Sequence, residues 1–513
     1  MALGTAQLCA AQMPEGFRME EVNRKTGDFQ LDSINLSSPM SYFLSRAWVC
    51  ATGHARYWKE ISTSKFSFAA DAPDEGVDSA YVNRVLGEQI DRVITYRDSA
   101  AAVVTHTEGD GFYLLNYCWL ENGRWVNGGQ GLAYDPDGAV NEAVAQLPVH
   151  LANVPRIAAI ENLPQDVAPF ADFLGGVSQS PEEFVLDMLG RYRLVVNGEY
   201  HRRKVSWDML RRLLAMPGFA RKTGHLFMEL PSWCQPLMDE FMAGTEPDSE
   251  LIYRIFREEQ PNGWWDRGEF DFISDLWSLN HSLPEENRIK VTLVDYQIPY
   301  SKVTEDQAEA EDRNTHMADV ICSTLAESSD SRGALFLVGC AHAYKSGQAG
   351  IASAAHGQDA QLTAGAQLSA RLGSDNVFTI YQHSISSDNS GNHREQVRGG
   401  MFDRAFALAG DRSVGFRLAG SPFGAEPFDG IHEIKYNAAT GSYADNYDGY
   451  LFLHPLEGEP QATPLTEIFT DEFVAEMKRR AEVLDLSDAR WMWFGRPASE
   501  LTREYVVDTL LGK

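Results

Sequence analysis

The chain has 513 residues, with 44 Lys and Arg against 73 Asp and Glu, a formal charge of −29. That length predicts two or three domains, each able to bury a core of its own. That charge repels nucleic acid phosphates and anionic membrane surfaces, so neither is expected as a partner.

The N-terminus lacks a basic n-region and a continuous apolar h-region, since no hydrophobic stretch precedes Leu8-Cys9-Ala10-Ala11. No run approaches the roughly 20 apolar residues of a membrane span. Six cysteines (Cys9, Cys50, Cys118, Cys234, Cys322, Cys340) stand apart without CxxC spacing, the thiol usage of a reducing compartment. The cytoplasm is the expected location.

Residues 1–35 mix charge and polarity without periodicity and are expected to form a loose arm. A small α+β domain is expected over 36–140. Tyr42, Phe43, Ala47, Trp48, Ala51 and Tyr57 recur at helical spacing and predict a helix over about 39–62. Four strand-like runs follow at 92–96, 101–106, 111–119 and 123–127, separated by turn signals such as Glu108-Gly109-Asp110-Gly111 and Glu121-Asn122-Gly123. They predict an antiparallel meander, with His106 a partly exposed strand residue. A leading helix before such a meander resembles the nuclear transport factor 2-like class. The plainer expectation is a small interaction module with no chemistry of its own.

Residues 141–190 carry helical patterning and are expected as a connector, with Ser180-Pro181-Glu182-Glu183 marking a helix start. From 191 to 513 strands alternate with helices: strands near 194–197, 224–229, 290–295, 334–338 and 377–383, and helices between them. This predicts an α/β domain, a mostly parallel sheet with helices on both faces. Stretches 346–365, 384–400 and 438–448 are expected as long loops, the first two as active-site loops or lids. No internal repeat is visible.

Four segments stand just beyond hydrophobic strands: Gly198-Glu199-Tyr200-His201, Phe227-Met228-Glu229-Leu230, Leu293-Val294-Asp295-Tyr296 and Gly339-Cys340-Ala341-His342. A fifth, Glu311-Asp312-Arg313-Asn314-Thr315-His316-Met317-Ala318, opens a helix. Polar side chains at the carboxyl ends of parallel strands face the ligand crevice, so these residues are expected in one cleft. A neutral imidazole can take a proton from water beside a carboxylate, which makes His201 with Glu199 or Glu229 a water-activating pair. Arg313 would bind a carboxylate or steady an oxyanion, and His342 would be a second base, an acid or a ligand. Alternatively His201, Glu229 and His342 hold a divalent metal with an open position for water. Tyr200, Arg202, Asp295, Asn314 and His383 are the candidate substrate-binding residues. Arg202-Arg203-Lys204 is either a solvated loop or a positive rim favouring an anionic substrate. Trp207, Trp264 and Trp265 are expected as core aromatics or a pocket wall. His316, one turn from Asp312, is expected to be structural, His225, before its strand, points toward the sheet's opposite end, and Arg313 could instead pair with Glu309 on its helix.

In this order the five segments resemble the superfamily that joins erythromycin esterase-like hydrolases, ChaN-like haem-binding proteins and the TraB/TIKI metal-dependent peptidases. The resemblance covers about 190–345, with Tyr447-Asp448-Gly449-Tyr450-Leu451-Phe452 similar to a late strand of the same fold. It implies a hydrolase cleaving an ester, lactone or amide of a small-molecule or peptide substrate, with or without a divalent metal. Glu199 and His201 are separated by Tyr200 alone, as in the ChaN-like branch, where erythromycin esterases place two residues. That spacing implies the alternative of a haem- or iron-binding protein, with Tyr200 or a histidine as axial ligand. A third alternative is a degenerate scaffold whose N-terminal domain recruits a partner.

Overall fold

A computed structural model of the chain describes residues 13–53, 57, 61, 79–109, 111–121, 123–295, 299–302, 312–346, 362–387, 394–431, 434–435, 438–484 and 492–512. Glu309, Glu311, Tyr296 and the parts of the expected loops at 347–361 and 388–393 lie outside these residues, as does most of the expected helix beyond Gly53. The chain divides into two compact units, Met1–Asn162 and Leu163–Lys513.

The first unit is an antiparallel sheet of five strands in sequential order: β1 (Phe17–Lys25), β2 (Gln89–Tyr96), β3 (Ala100–His106), β4 (Tyr113–Glu121) and β5 (Arg124–Ala133). Alternate side chains serve two cores. Ile94, Ala102, Val104, Leu115 and Tyr117 pack with Val140, Ala143 and Leu147 of the helix Pro136–Glu161. Val93, Val103, Cys118 and Trp125 pack with Tyr42, Phe43 and Val49 of the helix Pro39–Thr52. A sheet buried on both faces needs apolar residues at both parities, and β3 is buried at six of its seven positions.

Two expected boundaries need correction. The arm includes β1, which pairs with β2 from Phe17↔Tyr96 to Lys25↔Gln89. Its charged run Glu20, Glu21, Arg24 and Lys25 suits an edge strand with one side in water, and that same charge hides its strand character from a hydrophobicity pattern. The stretch 141–190 is no single connector: the helix Pro136–Glu161 completes the first core, whereas Ala168–Gly176 and Pro181–Leu189 bury Phe170, Leu174, Phe184, Val185 and Met188 in the second unit. Ser180 caps the latter helix in a reciprocal box with Glu183 behind Pro181, as its sequence predicts.

The second unit is α/β. Its seven-stranded sheet runs β13 (Val414–Arg417), β14 (Gly449–Phe452), β10 (Val377–Gln382), β6 (Leu194–Glu199), β9 (Gly333–Gly339), β7 (Thr223–Pro231) and β8 (Lys290–Asp295). All neighbours are parallel except β13 and β14. A short hairpin of β11 (Ile385–Ser387) and β12 (Arg394–Gln396) stands apart from the sheet. Leu226, Met228, Leu335 and Leu337 face one core, and Phe227, Ala334, Phe336 and Val338 the other. Both faces are therefore covered by helices, and only the strand ends remain for polar side chains. Among the described residues no helix is long and apolar enough to cross a membrane.

Phe227 is fully buried at the centre of one face. Phe227→Ala is expected to lower the stability of this unit by about 3–5 kcal/mol. Chemical denaturation checks this as a lower midpoint at unchanged slope; a change within about 0.5 kcal/mol, the scale of a surface substitution, would refute it.

Candidate functional site

β6, β7, β8 and β9 are parallel neighbours, so their carboxyl ends share one edge, and there Glu199, Glu229, Asp295 and Gly339 come together. The regular pairing of β7 with β9 stops at Met228↔Leu337, and that of β7 with β8 shifts between Met228 and Pro231. Where this ladder ends, the Glu229 side chain takes over, and its Oε2 accepts the Gly339 N–H at 2.6 Å.

The other Glu229 oxygen accepts from Arg313 Nη2 at 2.9 Å. Asp312 caps the helix Arg313–Glu327 through the Asn314 and Thr315 amides, which sets Arg313 and Asn314 in its first turn. Arg313 also forks onto Asp295, Nε to Oδ1 at 2.9 Å and Nη2 to Oδ2 at 2.8 Å. Asp295 is completely buried behind this guanidinium. It was expected to bind substrate; the structure makes it the support that orients Arg313.

Asn314 turns the other way. Its Oδ1 lies 3.0 Å from the Ala364 amide, which can only donate, and 2.8 Å from His342 Nδ1. The Nδ1 of His342 must therefore carry the proton, leaving the Nε2 lone pair 3.4 Å from Glu229 Oε1. The Tyr447 hydroxyl donates to the Cys340 carbonyl at 2.7 Å and pins the turn that carries His342. His201 Nδ1–H donates to Glu199 Oε1 at 2.6 Å, which points its Nε2 toward Glu229 Oε2 at 3.8 Å. That gap is too long for a hydrogen bond, so His201 Nε2 is open to a ligand. Trp264 packs edge-on against the His201 ring at 5.2 Å.

The electrostatics separate the two imidazoles. Burial opposes the charge of His201, but the Glu199 carboxylate, through its charge and its hydrogen bond, and then that of Glu229 outweigh it and push its pKa up to about 9. The side chain keeps 42% of its surface open, so solvent screens part of this attraction and the upward direction is what stands. Burial lowers the pKa of His342 and the Arg313 charge adds to this, against the pull of Glu229. Burial would raise Glu229, yet His342, His201, Arg313 and the Gly339 amide hold it down to about 2. Near neutral pH the site carries an imidazolium at His201, an imidazole at His342 and a carboxylate at Glu229.

These groups line a cleft of about 1400 Å³ together with Tyr200, Arg202, Trp207, Trp264, Trp265, Glu259 and Glu269. Glu269 accepts from Trp264 Nε1 at 2.5 Å and Asp266 from Trp207 Nε1 at 3.0 Å. Burial raises Glu269 well above the usual carboxylate range and Asp266 to about 6. Sequence reasoning missed this acidic wall. Its signal was local, an Asp-x-x-Glu start to the helix Arg267–His281 beside a Trp-Trp pair, but it lies between strands rather than at a strand end.

Three further expectations are corrected. His383 is fully buried, with Nδ1 2.7 Å from the Tyr450 hydroxyl and Nε2 3.2 Å from Asp403, and does not reach the cleft. The basic rim is not free: Arg203 is buried on Glu459 and Lys204 pairs with Asp208 at 2.5 Å. The metal set also fails. Among the described residues no group of three His, Cys, Asp or Glu side chains is arranged to hold an ion, and the Arg313 guanidinium already occupies the carboxylate that a cation would need. His225 bonds to Ser328 and His316 to Ser232.

A Cβ at Gly339 would stand 2.7 Å from His201 Nε2 and 3.4 Å from Glu229 Oε2. Gly339→Ala is therefore expected to push the imidazole out of line and bring its pKa back toward an unperturbed 6.5 while the fold persists. Histidine NMR titration with a circular dichroism control checks this; an unmoved His201 titration would refute it.

No protein-family model matches the chain, and no curated protein does. Among solved structures, the chain is similar to a protein from Bacillus cereus at 9% identity, over 56% of this chain and 97% of that one, with a TM-score of 0.36. A succinoglycan biosynthesis protein is similar at 12% identity over 59% of this chain and 97% of its own, with a TM-score of 0.38. The type III effector HopBA1 is similar at 11% identity over 43% of this chain and 94% of its own, with a TM-score of 0.25. These distant likenesses carry no argument about activity.

Proposed function

We propose that the second unit is a metal-independent hydrolase of the superfamily that includes the erythromycin esterase-like proteins, and that the first unit is a nuclear transport factor 2-like domain. One observation carries the hydrolase reading: two imidazoles aim Nε2 at the same buried carboxylate, and their surroundings push their pKa values in opposite directions. The domain assignment is supported by the helix Pro39–Thr52 ahead of the β2–β5 meander.

In this reading His342 is the base. Its Nε2 lone pair takes a proton from water, whose oxygen attacks the carbonyl carbon of an ester, lactone or amide. Arg313 lines the cleft, and its positive charge balances the oxyanion. As the carbonyl re-forms, the bond to the leaving oxygen or nitrogen breaks, and His201 Nε2–H supplies its proton. The proton gained by His342 returns to His201 past Glu229, which lies between the two rings.

The pH dependence follows. His342 works only when neutral, so kcat/KM rises with pH through a midpoint below 6.5. His201 works only when charged, so the rate falls as pH passes about 9. His342→Gln and His201→Gln are each expected to cost about 10²–10⁴-fold and to remove the acidic and the alkaline limb respectively. Rates on a panel of chromogenic esters and lactones check this. An alkaline limb that rises would make His201 the base, a rate unaffected by either variant would sink the hydrolase, and a Soret band in the purified protein would favour haem binding.

A further inference from the structure

Arg202 stands one residue after His201 in the left-handed region, at φ 62°, a conformation that costs a side-chain-bearing residue energy. Its guanidinium lies 4.2 Å from the ring centre of Trp265 and 4.8 Å from that of Trp264, and it lines the same cleft. Stacking of this kind holds the planar fork rigid and leaves its N–H edges for an acceptor.

Hydrogen-bond accounting shows what kind of acceptor. Arg202 makes no hydrogen bond to any described residue, and its Nε is buried without one. The acids around it hold other partners: Glu199 meets His201 through Oε1, its buried Oε2 bonding to nothing described, Asp266 meets Trp207 and the Gly268 amide, and Glu269 meets Trp264. Burial lowers the pKa of Arg202, opposed by the charges of Asp266, Glu259 and Glu199, and a guanidinium remains protonated at neutral pH all the same. Arg313, the other guanidinium of the cleft, is committed to Asp295 and Glu229. Unlike its neighbours Arg203 and Lys204, Arg202 forms no ion pair with a carboxylate among the described residues.

We propose that Arg202 is the substrate anchor of this cleft, and that the group it takes is a carboxylate carried by the substrate away from the scissile bond. This rests on the hydrolase reading only for the word substrate. A guanidinium fork matches a carboxylate in plane and spacing. A dianionic phosphate suits the cleft less, because the Glu199 and Glu259 charges oppose a second negative charge. Arg202, His201 and His342 line the same cleft, so a ligand held at Arg202 shares it with the two imidazoles.

Calorimetric titration of the whole chain with benzoate, its neutral counterpart benzamide and phenylphosphonate tests this without turnover. Benzoate is expected to bind at least about tenfold more tightly than benzamide, the worth of a charge-assisted hydrogen bond. It is expected to exceed phenylphosphonate as well. Arg202→Gln should abolish the preference, and Arg202→Lys should restore only part of it, because an ammonium supplies the charge but not the fork. Equal binding of benzoate and benzamide to the unaltered chain overturns the proposal, whatever the variants do. So does a preference that survives Arg202→Gln, and tighter phosphonate binding would replace the carboxylate by a phosphoryl ligand. Carboxylate binding without esterase activity would instead sink the hydrolase reading and leave this one standing.

Discussion

A carboxylate buried at the end of a parallel sheet must be compensated, and the compensation of Glu229 organises the whole strand-end face. An isolated charge in such a place costs several kcal/mol, so every group that meets it is under constraint. The Gly339 amide does so beyond the point where the β7–β9 pairing ends, at a position where a Cβ would crowd His201. Arg313 does so only because Asp295 behind it and the Asp312 cap beneath it fix the guanidinium and the helix start. Three strands and one helix are tied by that one side chain. Loss of any single tie leaves a buried charge short of a partner rather than merely removing a contact.

The same carboxylate treats the two histidines unequally because their far nitrogens differ. His201 Nδ1 meets the negative Glu199, which holds a proton on the ring, whereas His342 Nδ1 meets the neutral amide of Asn314, which orients the ring and leaves its charge state to burial and Arg313. The atom on the side away from the ligand thus decides what the facing atom can do. Two imidazoles with pKa values shifted in opposite directions, side by side, come from second partners that are themselves set by strand β6 and the start of the helix Arg313–Glu327.

How much of this was legible in the sequence depends on the range of the interaction. Glu199, His201, Glu229, Arg313, Asn314 and His342 could be found because each follows an apolar run or a helix start, and parallel strands bring their ends together whatever the details. Asp295 and His383 have the same local texture and other roles, one behind Arg313 and one inside a shell of Tyr450, Phe406 and Phe452. Nothing beside them in the chain distinguishes a strand-end side chain that faces the cleft from one that faces back into the core. The α/β class and the meander followed from periodicity alone. β1 did not, because an edge strand with charged residues has little apolar period to read.

Charge was the least legible quantity, since it depends on pairing across the chain. Arg202-Arg203-Lys204 reads as a block of three positive charges, yet Glu459, more than 250 residues away, takes the second and Asp208 the third. The acids behave likewise: burial raises Glu269 well above the usual carboxylate range and Asp266 to about 6, so the acidic sequence does not become an equally acidic site. A chain of charge −29 therefore encloses a cleft lined by two guanidinium groups, Arg202 and Arg313, and by the His201 imidazolium. Net charge governs how the surface meets other macromolecules. The selectivity of the site follows from which donors the fold leaves without an acceptor.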